Sequence, residues 1–349
     1  MNIYRCACGN PVYFENDQCL ACGRRLGFLP ERLTQAALEP LPGGNDLWRA
    51  HTPEGEMGEY HRCRNYSEQN VCNWMVVSDN GERYCVACRM NRIIPNLDRP
   101  GNRDKWLNVE REKRRVIYDL LRLGLPFLAK RDDPHTGLAF AFMEDQQPTQ
   151  EFVDSSWSGG KVFTGHAKGL ITINIIEADD AAREALRQQL NEASRTLLGH
   201  FRHEIGHYFW DRLILEGGRL AGFREVFGDE RQDYQSSLRR HYQQGPPANW
   251  QQHYISAYAA AHPWEDWAEC WGHYLQITDA LETAHALDMG VSLPRDFDEL
   301  IRVWSRVSIN INLMNRSMGM RDAYPYVLND SVVAKLRYIH EVVEAERSA

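Results

Sequence analysis

The sequence predicts an α+β protein in which small cysteine-rich modules precede a mostly helical domain with a small β-sheet. Three observations carry that prediction. Eight of the nine cysteines fall before residue 90. Short β-rich segments separated by Gly, Asp or Pro occupy Leu138 to Ile176. Nearly everything after that, to Ala349, has helical periodicity.

The cysteines come first in the chain. Cys6, Cys8, Cys19 and Cys22 are spaced C-x-C-x10-C-x2-C, within a module read as residues 1–30. Two tight Cys pairs on adjacent turns can present four thiolates tetrahedrally to one zinc ion. The glycines in CACGN and CLACGRR let the backbone turn its N–H groups toward sulfur. A module with so little core takes most of its folding energy from the metal. Cys63, Cys72, Cys85 and Cys88, within residues 59–105, have only one tight pair, so His61 stands as a substitute for one thiolate. Both sites would be closed, hence structural or recognition elements rather than catalytic ones. Between them, Leu26 to Gly58 contains EPLPGGND and reads as a Pro/Gly-rich linker.

Residues 106–349 form the helical domain. Its first helix is expected over Trp106 to Leu123, where Val109, Val116, Ile117, Leu120 and Leu121 make one apolar stripe that stops at Gly124 and Pro126. LAFAFM, KVFTGH and GLITINI read as strands. In the last, Ile171, Ile173 and Ile175 alternate with Thr172 and Asn174, the pattern of a strand with one buried face. A long helix is expected from Asp180 to Leu215.

That helix contains FRHEIGHYFWDRL. His203 and His207 lie four apart, so on a helix they share a face, with Cβ atoms about 6 Å apart. Two imidazoles so placed can hold one zinc ion. Glu204, one residue further round, can take a proton from zinc-bound water. The alternative is an amphipathic helix that merely contains two histidines, and a third carboxylate would decide between them.

Catalytic zinc takes three protein ligands and a water. HPWEDWAECWGHYL offers Glu265 and Glu269, four apart on a helix whose Trp264, Trp267, Ala268, Trp271 and Leu275 make an aromatic buried surface. FREVFGDERQDY offers Glu225, Asp229 and Asp233 near Gly228, which suggests an exposed turn. Glu265 is preferred, because a carboxylate buried among aromatics is costly unless it binds something. Pro263 suits the first turn of such a helix. A second acid one turn on can accept the free N–H of a ligand histidine and fix its tautomer.

CACG, CLACG, TGHAKGLITINIIEAD, HEIGHYFWDRL, FGDERQDY and HPWEDWAECWGHYL together resemble the bacterial zinc-ribbon zinc metallopeptidase family, over nearly the whole chain. The resemblance implies a gluzincin-type, zincin-like peptidase domain. It makes His203 and His207 ligands and Glu204 the catalytic base, and it leaves the third ligand and the substrate open. The expected cofactors are three zinc ions, one catalytic and two structural. The expected partners are a protein or peptide substrate and a protein recognised by the ribbons. Tyr254, Tyr258 and His273, near the Glu265 segment, are candidate oxyanion donors. A substrate backbone is expected to pair along the strand from Leu170 to Ile175.

The competing reading is a nucleic-acid or protein binding module whose HExxH site is not catalytic. Arg83 to Arg115 holds ten Lys/Arg against four Asp/Glu. Against it, the whole chain carries −8, and readers of phosphate show a stronger basic footprint. The N-terminus, MNIYRCACGN, lacks the basic and apolar regions of a signal peptide. No apolar run approaches the roughly 20 residues that span a bilayer. The expected location is therefore the cytoplasm, without a membrane partner, and a reducing cytosol favours metal over disulfides for clustered cysteines.

Overall fold

The structure is a computed structural model and describes residues 2–43, 46–79, 81–145, 162, 164–189 and 196–347. It has two compact units, one comprising Asn2–Arg122 and Phe127–Leu186, the other Leu123–Pro126 and Arg187–Ala349.

The first unit opens with the hairpin β1 (Tyr4–Arg5) and β2 (Pro11–Val12). Next come β3 (Arg25–Leu29), β4 (Thr34–Pro40), β5 (Leu47–Thr52), β6 (Gly55–Arg62), the single turn α1 (Arg64–Ser67) and β7 (Met75–Val77). These strands form a five-stranded antiparallel sheet in sequence order. Its outer strands meet, because Phe28 N–H donates to Asn73 O at 2.8 Å. Gly27 permits the approach, since a Cβ there would lie 2.5 Å from Met75 Sδ. The segment read as a linker from Leu26 to Gly58 is thus mostly strand. Its strands carry Gly27, Pro40 and Gly58, which weaken any local β signal, and they are stabilised by pairing with neighbours instead.

Phe14, Phe28, Trp74 and Tyr118 pack as an aromatic cluster. Ring centroids lie 4.9 Å apart for Phe14–Phe28, 5.0 Å for Phe28–Trp74 and 5.4 Å for Phe14–Tyr118. Gln35 and Asn73 side chains donate to the Phe14 carbonyl at 2.8 and 2.7 Å, and Tyr66 OH donates to Leu26 O at 2.8 Å. Both cysteine groups therefore belong to one body.

After β8 (Asn91–Ile93) comes α2 (Asn102–Leu123), whose Trp106, Val109, Val116, Ile117 and Leu120 are buried; Gly124 follows it at φ +67°. Then come β9 (Ala139–Met143), β10 (Gly165–Ala167), β11 (Leu170–Asn174) and α3 (Asp180–Gln189). The second sheet has the order β10-β11-β9-β8, with β9 parallel to both its neighbours, so β11 is paired on both sides and offers no free edge for the substrate pairing expected along Leu170 to Ile175. Ile171, Ile173 and Ile175 are buried, as the alternation requires. Lys161 and Phe163 of KVFTGH lie outside the described residues, as do residues 190–195 of the long helix expected from Asp180 to Leu215.

The second unit is helical. It comprises α4 (Leu197–Phe209), extended by a wider turn over Trp210–Leu215, then α5 (Leu220–Phe227), α6 (Tyr234–Gln244), α7 (Pro263–Ala286), α8 (Phe297–Ser317) and α9 (Asp330–Arg347). Thr196 starts α4 by accepting from Gly199 N–H at 2.9 Å, and His262 starts α7 with Pro263 in its first turn. The two helices pack closely at Gly206, where a Cβ would meet Ala268 Cα at 3.0 Å. Trp267 Nε1 donates to the Gly206 carbonyl at 2.9 Å, and Arg202 pairs with Asp279 at 2.7 Å. Val332, Leu336, Ile339 and Val343 of α9 are fully buried, so the C-terminal helix is part of this core. Among the described residues, no helix is long and apolar enough to cross a membrane.

Candidate metal centre

The α4–α7 contact decides what its polar residues can do. Helical spacing puts His203 and His207 on the face of α4 that meets α7, and Glu265 lies in the first turn of α7. Glu265 Oε2 lies 3.0 Å from His203 Nε2 and 3.5 Å from His207 Nε2. All three residues offer ligand atoms within 4.8 Å of one another. Oε2 is buried and has no aligned hydrogen-bond partner among the described residues. A tetrahedral zinc ion with bonds of about 2.0–2.1 Å sets its ligand atoms about 3.4 Å apart, so these spacings fit the metal. A buried carboxylate oxygen aimed at two imidazole nitrogens calls for a proton or a cation between them.

The surroundings orient each of these side chains. His203 donates from Nδ1 to Glu269 Oε1 at 2.8 Å, which leaves Nε2 as the nitrogen facing Glu265. Ser256 OH donates to the other Glu269 oxygen at 2.6 Å and itself accepts from Ala259 N–H at 3.0 Å. Tyr234 OH donates to Glu265 Oε1 at 2.5 Å. Trp264 lies against His207 with ring centroids 3.7 Å apart.

Burial disfavours charge on all these groups, but they offset it for one another. The carboxylates of Glu265 and Glu269 overcome burial and raise the His203 pKa well above the ordinary imidazole value. Burial also opposes ionisation of Glu265, yet His207 and His203 hold its pKa well below the usual carboxylate range. For Glu269, burial is outweighed by His203 and then Ser256, which lower it to about 2. Glu204 is buried beside the same two histidines; burial raises its pKa and the imidazoles only partly offset this.

The other acids weighed from sequence are engaged elsewhere. Asp229 pairs with Arg231 at 2.8 Å, Asp233 caps α6 by accepting from Ser236 N–H at 2.7 Å, and Glu225 is exposed. Of the three residues considered as oxyanion donors, His273 bonds through Nδ1 to the Tyr324 hydroxyl at 3.1 Å. Tyr254 lies under Lys335, with Nζ 4.3 Å from its ring centroid. Tyr258 sits 6.0 Å from the His203 ring, centroid to centroid. Tyr234 and Ser256 are not among the residues expected from sequence, although FGDERQDY ends on Tyr234; Trp264 is expected there as part of an aromatic surface, not as a neighbour of His207. Cys270 is buried, 3.6 Å from Asp266 Oδ1, and burial raises its thiol pKa well above the ordinary value.

In the first unit the cysteines assemble as two separate groups of four, all with free thiols. Sulfur atoms lie 3.6 Å apart for Cys6–Cys22, 3.8 Å for Cys8–Cys19 and 3.9 Å for Cys72–Cys85. Tetrahedral zinc with Zn–S bonds of about 2.3 Å places its sulfurs about 3.8 Å apart, against about 2.05 Å in a disulfide. Gly9 and Gly23 take the left-handed φ values, +84° and +71°, that the turns of the first group require. In the second group, Trp74, Cys85 and Cys88 donate backbone N–H bonds to sulfur, each at 3.4 Å. His61 stands apart from the four thiols, with Nδ1 on the Asp46 carbonyl at 3.2 Å. Cys8 and Cys22 are exposed, whereas all four cysteines of the second group are buried.

Much of the basic stretch Arg83–Arg115 is bound internally. Lys113 pairs with Glu110 at 2.8 Å with both side chains buried, and Arg114 donates to Val71 O at 2.6 Å. Arg115 pairs with Glu15 at 2.5 Å and Arg99 with Glu144 at 3.0 Å.

Comparison with known proteins finds two family matches along the chain. Residues 3–99 match a zinc-ribbon domain family, and residues 102–342 match the family described as "putative zinc-binding metallo-peptidase". Uncharacterized proteins of Mycobacterium bovis and Mycobacterium tuberculosis are 38% identical to the chain over 355 residues, covering 99% of it and 96% of theirs. No solved structure matches significantly.

Proposed function

We propose, since this chain belongs to the zinc-binding metallo-peptidase family, that it is a zinc-dependent peptidase of gluzincin type in which His203, His207 and Glu265 hold the catalytic ion. The observation that carries the reading is the convergence of His203 Nε2, His207 Nε2 and Glu265 Oε2 beside the buried carboxylate of Glu204. When bound, zinc supplies a Lewis acid for the scissile carbonyl and for the attacking water. Glu204 accepts the proton of that water and returns it to the leaving amine. Its burial raises the pKa above the ordinary carboxylate value, which favours proton acceptance. Glu269 fixes the His203 tautomer, so that Nε2 carries the lone pair for the metal. Tyr258, whose ring lies 6.0 Å from that of His203, supplies the hydrogen bond to the developing oxyanion.

The two four-cysteine groups hold structural zinc. The N-terminal ribbon serves recognition of a protein substrate or partner, and the exposed Leu20, between Cys19 and Cys22, with the exposed Tyr13 supports that role. Clustered cysteines without a disulfide among them suit a reducing cytoplasm. Internal pairing of the basic stretch weighs against a nucleic-acid module.

Zinc per chain, measured on wild type and on His203→Ala/His207→Ala, tests the centre. Three ions falling to two is the expected result, and equal counts overturn it. Glu204→Gln should keep all three ions while hydrolysis of a peptide library falls about 10²- to 10⁴-fold.

A further inference from the structure

We infer that Tyr234 is a positioning residue that holds Glu265 as a one-oxygen ligand, so that the site keeps its fourth coordination position open. The inference rests on the metallopeptidase reading of the centre. Its ground is the division of labour between the two oxygens of Glu265. Oε2 faces both imidazole nitrogens, at 3.0 and 3.5 Å, while Oε1 accepts the Tyr234 hydroxyl at 2.5 Å. A carboxylate free to rotate can offer both oxygens to one ion, raising its coordination number and taking up the position that substrate and water need. A phenol hydroxyl bonded to one oxygen disfavours that option without adding charge.

Tyr234 is itself held in place. It is the first residue of α6, whose N-terminus is capped by Asp233 through the Ser236 amide at 2.7 Å. Just upstream, the Gln232 carbonyl accepts from His262 Nε2 at 3.1 Å, while His262 Nδ1 accepts the Trp264 amide at 3.1 Å. One imidazole thus ties the start of α6 to the start of α7, one turn ahead of Glu265. The Tyr234 ring packs edge-on against His262 and Trp264, at centroid distances of 5.3 and 5.6 Å. This arrangement delivers a hydroxyl to Oε1 and leaves the tyrosine little freedom to serve elsewhere.

The test uses the full chain equilibrated in zinc buffers of defined free Zn²⁺, reading zinc per chain. The equivalent absent from His203→Ala/His207→Ala belongs to this centre. In Tyr234→Phe its half-filling should need about 10- to 100-fold more free zinc, with the two thiolate equivalents unmoved. Cobalt loaded into that equivalent should absorb more weakly in the visible in Tyr234→Phe than in wild type, as four-coordination gives way to five. An unchanged half-filling point and an unchanged cobalt spectrum overturn the inference, all the more if kcat alone falls, since Tyr234 would then act on the substrate. A fall in all three equivalents also overturns it, because it marks a general loss of fold. If wild type and the histidine double variant bind equal zinc, the metallopeptidase reading itself fails.

Discussion

Glu269 and His203 form a pair that faces away from Glu265. Oε1 of the acid lies 2.8 Å from Nδ1, while Nε2, across the same ring, lies 3.0 Å from the Glu265 carboxylate. One imidazole thus joins two acids that are one helical turn apart on α7.

Removing the outer acid should loosen the metal without deleting a ligand. Glu269→Ala is expected to weaken zinc at this centre about 10- to 100-fold. Glu269→Gln, which can still accept from Nδ1–H through its amide oxygen, should lose less. The free zinc needed for half-occupancy distinguishes the two variants.

Gly206 and Gly272 should respond oppositely to alanine. A Cβ at Gly206 would meet Ala268 Cα at 3.0 Å and Trp271 Cβ at 3.1 Å, while one at Gly272 meets nothing nearer than 3.6 Å. Gly206→Ala should therefore cost about 1–3 kcal/mol through overpacking, and Gly206→Val more. Gly272→Ala should be neutral, or stabilising by up to about 1 kcal/mol from helix propensity. Urea unfolding midpoints of the zinc-loaded proteins give the comparison.

His273 should make the fold acid-sensitive in a defined window. Burial lowers its pKa from 6.5 to about 4, so it stays neutral in the core against the Tyr324 hydroxyl. Because the folded value is the depressed one, its contribution is complete above the unfolded pKa and is lost as pH falls from 6.5 toward 4. A difference of about 2.5 units corresponds to about 3 kcal/mol. Melting temperature against pH should fall more steeply over this interval in wild type than in His273→Gln; parallel curves would contradict the assignment.

The Lys113–Glu110 pair is buried on both sides, beside Cys88 and under the rings of Phe140 and Phe142. Lys113→Met leaves the Glu110 charge uncompensated and should cost about 3–5 kcal/mol. Lys113→Met/Glu110→Gln should recover much of that loss. Chemical denaturation of wild type and the two variants measures the loss and its recovery, and adding Glu110→Gln alone gives the coupling.

The sequence makes some of these relationships legible and hides others, for physical reasons. Spacing places His203 and His207 on one face of α4, and Glu265 and Glu269 on one face of α7. Once the two helices pack at Gly206, one acid meets each nitrogen of the His203 ring. Desolvation cost singles out Glu265 before any fold is drawn, because few carboxylates sit among so many tryptophans. Tyr234 and Ser256 had no such signal. They enter from the start of a helix and from a loop, where side-chain direction depends on the tertiary path rather than on periodicity. The five-stranded sheet was hidden differently. Its strands are interrupted by Gly27, Pro40 and Gly58, and the meeting of β3 with β7 is a long-range event that no local window contains.

The unequal burial of the two four-cysteine groups would give zinc bound there unequal exchange lifetimes. An oxidant or a competing chelator can reach Cys8 and Cys22 from solvent at once, whereas the second group is reached only when its surrounding structure opens. Zinc held at these groups would therefore divide into a fast and a slow exchanging pool, which the time course of zinc release to a chelator would resolve.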